Sequence, residues 1–85
     1  MITIYSVPNC VLCVKVKNIA RKLETEKNID INIIDFENDL PMNLKAEYMA
    51  DFVWANIYSF PVVRIDKEFM TGDEFLKCVE KGEIK

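Results

Sequence analysis

The sequence predicts an α/β protein with the element order β-α-β-α-β-β-α, a four-stranded mixed sheet and three helices. Three observations predict it. A β-branched run precedes an amphipathic stretch and a second apolar run follows it, the order of a parallel βαβ unit with a right-handed crossover. A second helical stretch starts beside Pro41. Two short strand-like runs then close on a T-x-x-E segment that has the form of a helix capping box.

Ile2-Thr3-Ile4-Tyr5-Ser6-Val7 is β-branched and aromatic and stops at Pro8-Asn9, which marks the first strand. From Val11 to about Glu26, Leu12, Val16, Ile19, Ala20 and Leu23 recur at helical spacing with charged residues between them. The segment 29–36 alternates and then turns continuously apolar, the pattern of a strand covered on both faces. Asp39 is the expected cap of the next helix, with Pro41 in its first turn and an end near Ala55. Leu44, Tyr48 and Phe52 form one i, i+4 row of that helix, and Met49 and Val53 form another. Its Tyr48, Phe52 and Trp54, with Tyr58 after it, are expected to cover the sheet, an exposed subset being available to a partner. Val62-Val63-Arg64-Ile65 and Glu68-Phe69-Met70 read as an antiparallel pair about an Asp66-Lys67 turn, and Thr71 opens the last helix through about Lys81.

The chain of 85 residues is expected to form one domain over 1–85, since 51% hydrophobic residues can build a modest core without staples. Fourteen acidic and 11 basic residues leave a net charge of −3 with the lysines scattered, so nucleic acid is not an expected partner. The N-terminal run lacks the plan of a signal peptide, and no segment approaches the roughly 20 apolar residues of a membrane span. A cytoplasmic location is expected, where a disulfide would be transient.

Three cysteines and no histidine narrow the chemistry. Cys10 and Cys13 form a C-x-x-C at the junction of the first strand and first helix, where unpaired N–H groups and the partly positive helix end favour an anionic sulfur. Cys13, one turn further in, is expected to be deeper. If Cys10 attacks a disulfide, the mixed disulfide lies within reach of Cys13. Zinc is disfavoured because only Cys78 remains as a further ligand of the usual kind; an iron–sulfur cluster shared with another chain stays open as an accessory state. Cys78 reads as a small buried hydrophobe. Asp30 and Asp35 are unlike proton carriers because of their strand positions, and no general acid is assigned.

The segment "ITIYSVPNCVLC", the amphipathic helix, "SFPVV" and "TGDEF" together resemble the glutaredoxins, and Cys10-Val11-Leu12-Cys13 with Phe60-Pro61-Val62-Val63 is similar to the NrdH-redoxin branch. The resemblance spans most of the chain except about residues 37–58. It implies a thioredoxin fold and a dithiol–disulfide oxidoreductase without a cofactor, in which Cys10 is the nucleophile and Cys13 the resolving thiol. It further implies a cis-proline at Pro61 facing the dithiol, with Val11, Leu12, Phe60, Pro61, Thr71, Gly72 and Asp73 bordering the substrate. A protein disulfide is the implied substrate, that of ribonucleotide reductase on the NrdH-redoxin likeness. The implied reductant is thioredoxin reductase or glutathione. Val7 and Ile57 stand where glutathione-dependent relatives carry cations, which favours thioredoxin reductase. The alternatives are a glutathione-dependent glutaredoxin and a non-catalytic binding module or iron–sulfur carrier.

Overall fold

In the computed structural model, which describes residues 1–82, the sheet runs in the order β2-β1-β3-β4. Its strands are β1 (Ile2–Ser6), β2 (Ile31–Asp35), β3 (Val62–Ile65) and β4 (Glu68–Thr71), and its helices are α1 (Val11–Lys27), α2 (Met42–Trp54) and α3 (Gly72–Glu80). β1 pairs parallel with β2, with Ile4 opposite Ile33, and antiparallel with β3, with Ile4 opposite Val63. β3 and β4 are antiparallel, joined by a turn at whose head Asp66 takes a φ of 55°.

The alternation of side chains along each strand sorts the core into two layers. Ile2 and Ile4 of β1 and Val63 of β3 meet Val16, Ala20 and Leu23 of α1 and Phe75 of α3. Tyr5 and Val62 point to the opposite layer and meet Phe36, Phe52 and Ile57. Aromatic rings dominate this second layer: Tyr5 lies edge-on to Phe52 at 5.3 Å between centroids, and Phe52 to Phe69 at 5.6 Å. Such pairs add about 0.5–1.5 kcal/mol each to the burial of their apolar surface.

β2 is an edge strand of the sheet yet packs on both faces, Ile31 and Ile33 against the first core layer and Ile34 against the second, all three half-buried while Asn32 is exposed. The start of α2 corrects one expectation. Pro41 is its N-cap and no side chain caps the helix. The Asp39 carboxylate turns back instead and accepts from the backbone N–H of Asp35 at 2.9 Å. Asp35 in turn accepts from the N–H groups of Glu37 and Asn38 and from the Asn38 amide. These bonds, that from the Asn38 side chain foremost, hold the Asp35 carboxyl below its ordinary range. The residue is a turn former, in keeping with its exclusion as a proton carrier.

Along α2 Tyr48 and Phe52 pack in the second core layer, with only Phe52 buried, and Leu44 is half-buried. Met49, Val53 and Trp54, and Tyr58 beyond the helix, are exposed. Of the four aromatics expected over the sheet, two therefore lie on it and two do not. α3 begins as expected: the Thr71 hydroxyl accepts from the Glu74 N–H at 3.1 Å while the Glu74 carboxylate accepts from the Thr71 N–H, a complete capping box.

Candidate functional site

The first strand ends at Ser6, and Asn9, in the left-handed region at a φ of 58°, redirects the backbone into α1. Asparagine tolerates this conformation better than most residues. Cys10 then occupies the N-cap of α1 with extended backbone, and its Sγ accepts the Cys13 backbone N–H at 3.1 Å. Sulfur fills the role that a serine or aspartate oxygen usually plays at a helix start. Three residues along, Cys13 has returned to the inner face of the helix and is fully buried, while Cys10 is half-buried. The different depths anticipated for the two thiols are those observed.

Burial also separates the two sulfurs chemically. The Cys13 thiol is pushed up from 9.0 to about 11, first by removal from water, then by its hydrogen bond with Cys10, against weaker opposition from the Val7 backbone and Lys17. Cys13 is therefore a protonated thiol at neutral pH. Cys78 lies on α3, half-buried, and packs at the margin of the first core layer; it is less enclosed than a wholly buried hydrophobe.

The loop into β3 supplies the facing wall. The Phe60-Pro61 peptide is cis, and the Phe60 carbonyl oxygen stands 4.0 Å from Cys10 Sγ as its acceptor. Pro61 is buried and its own carbonyl accepts the Gly72 N–H at 3.1 Å. Gly72 is packed so closely that a Cβ there would lie 2.7 Å from Pro61 Cγ and 3.2 Å from Val16 Cγ2. A chain of contacts thus connects Cys10 to Phe60, Pro61 and the first turn of α3. Thr71 and Gly72 join this chain by way of the cap and the Pro61 contact; Asp73 is exposed in the first turn of α3. Val11 is 88% exposed beside Cys10, and Leu12 is half-buried against the first core layer. Of these two, only Val11 presents its side chain freely to a docking molecule.

Two relations escaped sequence reasoning. The contact of Cys10 with the Phe60 carbonyl joins positions 50 apart, and the close fit of Gly72 on Pro61 depends on how α3 meets β3. Glycine at the first helical position of a capped helix was the available signal for the second. Among the described residues, no group of three or more Cys, Asp, Glu or His side chains gathers as a metal site, and no helix is long and apolar enough to cross a membrane.

A buried thiol and a more accessible one at the same helix start can exchange two electrons with a disulfide, and the chain is a thiol–disulfide oxidoreductase of the thioredoxin fold. It belongs to the glutaredoxin family, whose family model matches residues 2–70. Among solved structures it is similar to wheat glutaredoxin, with a TM-score of 0.71 at 20% identity over 98% of this chain and 72% of that one. It is also similar to a glutaredoxin from Archaeoglobus fulgidus, with a TM-score of 0.66 at 13% identity over 92% and 84%. A mutant of a thioredoxin-like protein aligns at 26% identity and a TM-score of 0.61 over 94% and 96%. No curated protein matches the sequence. Family membership brings with it protein disulfides as substrates and glutathione or thioredoxin-type proteins as sources of electrons.

Proposed function

We propose that this glutaredoxin reduces a disulfide in a protein substrate through Cys10 and Cys13 and is itself reduced by a thioredoxin-reductase-type flavoenzyme in preference to glutathione. Cys10, as thiolate, attacks one sulfur of the substrate disulfide; a Cys10–substrate disulfide forms and the other substrate sulfur leaves as a thiolate. Cys13 gives up its proton and attacks Cys10 Sγ, the second substrate sulfur leaves, and a Cys10–Cys13 disulfide remains. Two electrons have then passed to the substrate, whose two thiolates take up the Cys13 proton and one from solvent. The reductant returns both electrons to the dithiol. Phe60, Pro61, Val11 and Leu12 border the reacting sulfur in this reading, and Thr71, Gly72 and Asp73 the far side of the groove. The NrdH-redoxin likeness makes the disulfide of ribonucleotide reductase the natural partner.

The observation that carries the choice of reductant is the apolar packing of Ile57 and Val7. Ile57 is only 5% exposed, inside the second core layer, and Val7 packs against the same layer, so neither place offers a cation to the carboxylates of glutathione. Each charge-assisted bond of that kind is worth about 1.5–3 kcal/mol. The test supplies oxidised protein with NADPH and thioredoxin reductase, or with glutathione, glutathione reductase and NADPH, at physiological concentrations. Faster reduction by the flavoenzyme alone is expected. Efficient saturable turnover with glutathione and none with thioredoxin reductase would make the protein a glutathione-dependent glutaredoxin.

A further inference from the structure

Phe60 faces two surroundings at once. Its carbonyl oxygen is 4.0 Å from Cys10 Sγ, and the residue also lines a cavity of about 140 Å³ between α2 and the loop into β3. Met49, Val53, Ile57 and Tyr58 contribute to the wall, Ser59 is polar, and no charged residue takes part. The volume equals that of roughly four or five water molecules at about 30 Å³ each, which is room for one large apolar side chain.

We propose that this cavity is a specificity subsite that receives a large apolar side chain next to the attacked cysteine of a polypeptide disulfide. The inference rests on the disulfide-reducing role proposed above and adds to it the kind of sequence preferred around the substrate cysteine. Three observations favour this occupant. The cavity and the reacting sulfur share Phe60, so a peptide whose cysteine reaches Cys10 docks on a residue that also walls the cavity. The uncharged wall gives no partner to the carboxylates of a small charged thiol but removes an aliphatic or aromatic side chain from water. Met49, Val53 and Tyr58 are 54%, 53% and 76% exposed at the rim, so the approach is open and apolar surface on both partners is lost to solvent on docking.

The test follows single turnovers of the reduced protein. Two peptides are used, each carrying one cysteine as its mixed disulfide with 2-mercaptoethanol, flanked by leucine in one and by serine in the other. The leucine peptide is expected to react faster, on the order of tenfold or more, the range by which a matched apolar pocket discriminates. Val53→Glu, which puts a carboxylate at the rim, brings the ratio toward one, and Val53→Leu keeps it; circular dichroism verifies that both variants are folded. Equal rates for the two peptides in the unmodified protein, with bis(2-hydroxyethyl) disulfide still reduced, would overturn the subsite and leave the disulfide-reducing role standing. Loss of reaction with all three disulfides would overturn both. A leucine preference that vanishes as protein concentration rises would show a second copy of the chain filling the cavity and would overturn the assignment to substrate.

Discussion

The Cys13 backbone N–H donates to Cys10 Sγ at 3.1 Å, so the first thiol of the motif caps the helix that buries the second. Structure and chemistry meet on one atom. A hydroxyl in its place can cap but cannot form a disulfide.

Cys10→Ser should therefore keep the fold and lose disulfide reduction, whereas Cys10→Ala should lose both the reaction and the cap. The serine variant is expected to be the more stable of the two by about 1 kcal/mol, the usual worth of an N-cap side chain. Urea unfolding of the pair measures this, and equal stabilities would show that the 3.1 Å contact contributes nothing.

Cys13→Ser is expected to stop the reaction at its midpoint, with substrate held on Cys10 as a stable mixed disulfide. Cys78→Ser should turn over as the unmodified protein does. Intact-mass analysis after exposure to a small disulfide reads both, and an adduct mapped to Cys78 in the native reduced protein would contradict the assignment.

The buried Cys13 thiol also ties stability to pH. Its folded value of about 11 lies above the 9.0 of an exposed thiol, so the folded state holds this proton more firmly than the unfolded chain. That contribution is fully present below pH 9 and is lost as pH rises from about 9 to about 11. Tyr5, raised chiefly by its burial, acts in the same direction. Comparison with Cys13→Ser isolates the cysteine: between these pH values the thermal midpoint of the unmodified protein should fall more steeply than that of the variant.

Gly72→Ala tests the contact between α3 and the loop before β3. The added methyl would stand 2.7 Å from a carbon of the buried Pro61 ring, and a ring carbon cannot swing aside as a flexible side chain does. Overpacking of this kind costs about 1–3 kcal/mol. Lower stability by denaturant melting, together with slower disulfide reduction as Phe60 shifts relative to Cys10, is the expected result; a variant as active and as stable as the parent would mean that the loop adapts freely.

Much of this arrangement was legible from local pattern. The β-branched run of β1, the helical spacing of Val16, Ala20 and Leu23 and the capping box at Thr71 are each set by residues close together in the chain, and they fold as they read. The apolar run of β2 reads as a strand packed on both faces, as Ile31, Ile33 and Ile34 are, but its place at the edge is decided by the pairing of β1 with β3, a non-local choice. Asp39 misled. A short acidic side chain near a turn has several backbone N–H groups in reach, and the turn after β2 won over the helix start. The depth of Cys13 was readable from its position one turn into the helix. The Phe60 carbonyl beside Cys10 and the cavity behind it come from segments far apart in the chain, and no local pattern encodes them.

Trp54, the one tryptophan of the sequence, ends α2 at 88% exposure, on the same helix end as the rim of the cavity. Its indole is already in water when the protein is native, so its emission will scarcely redshift as the core melts and is a poor gauge of folding. The same exposure makes it an optical sensor of encounter: a partner that covers this end of α2 dries the ring and moves its emission to the blue, without any label attached.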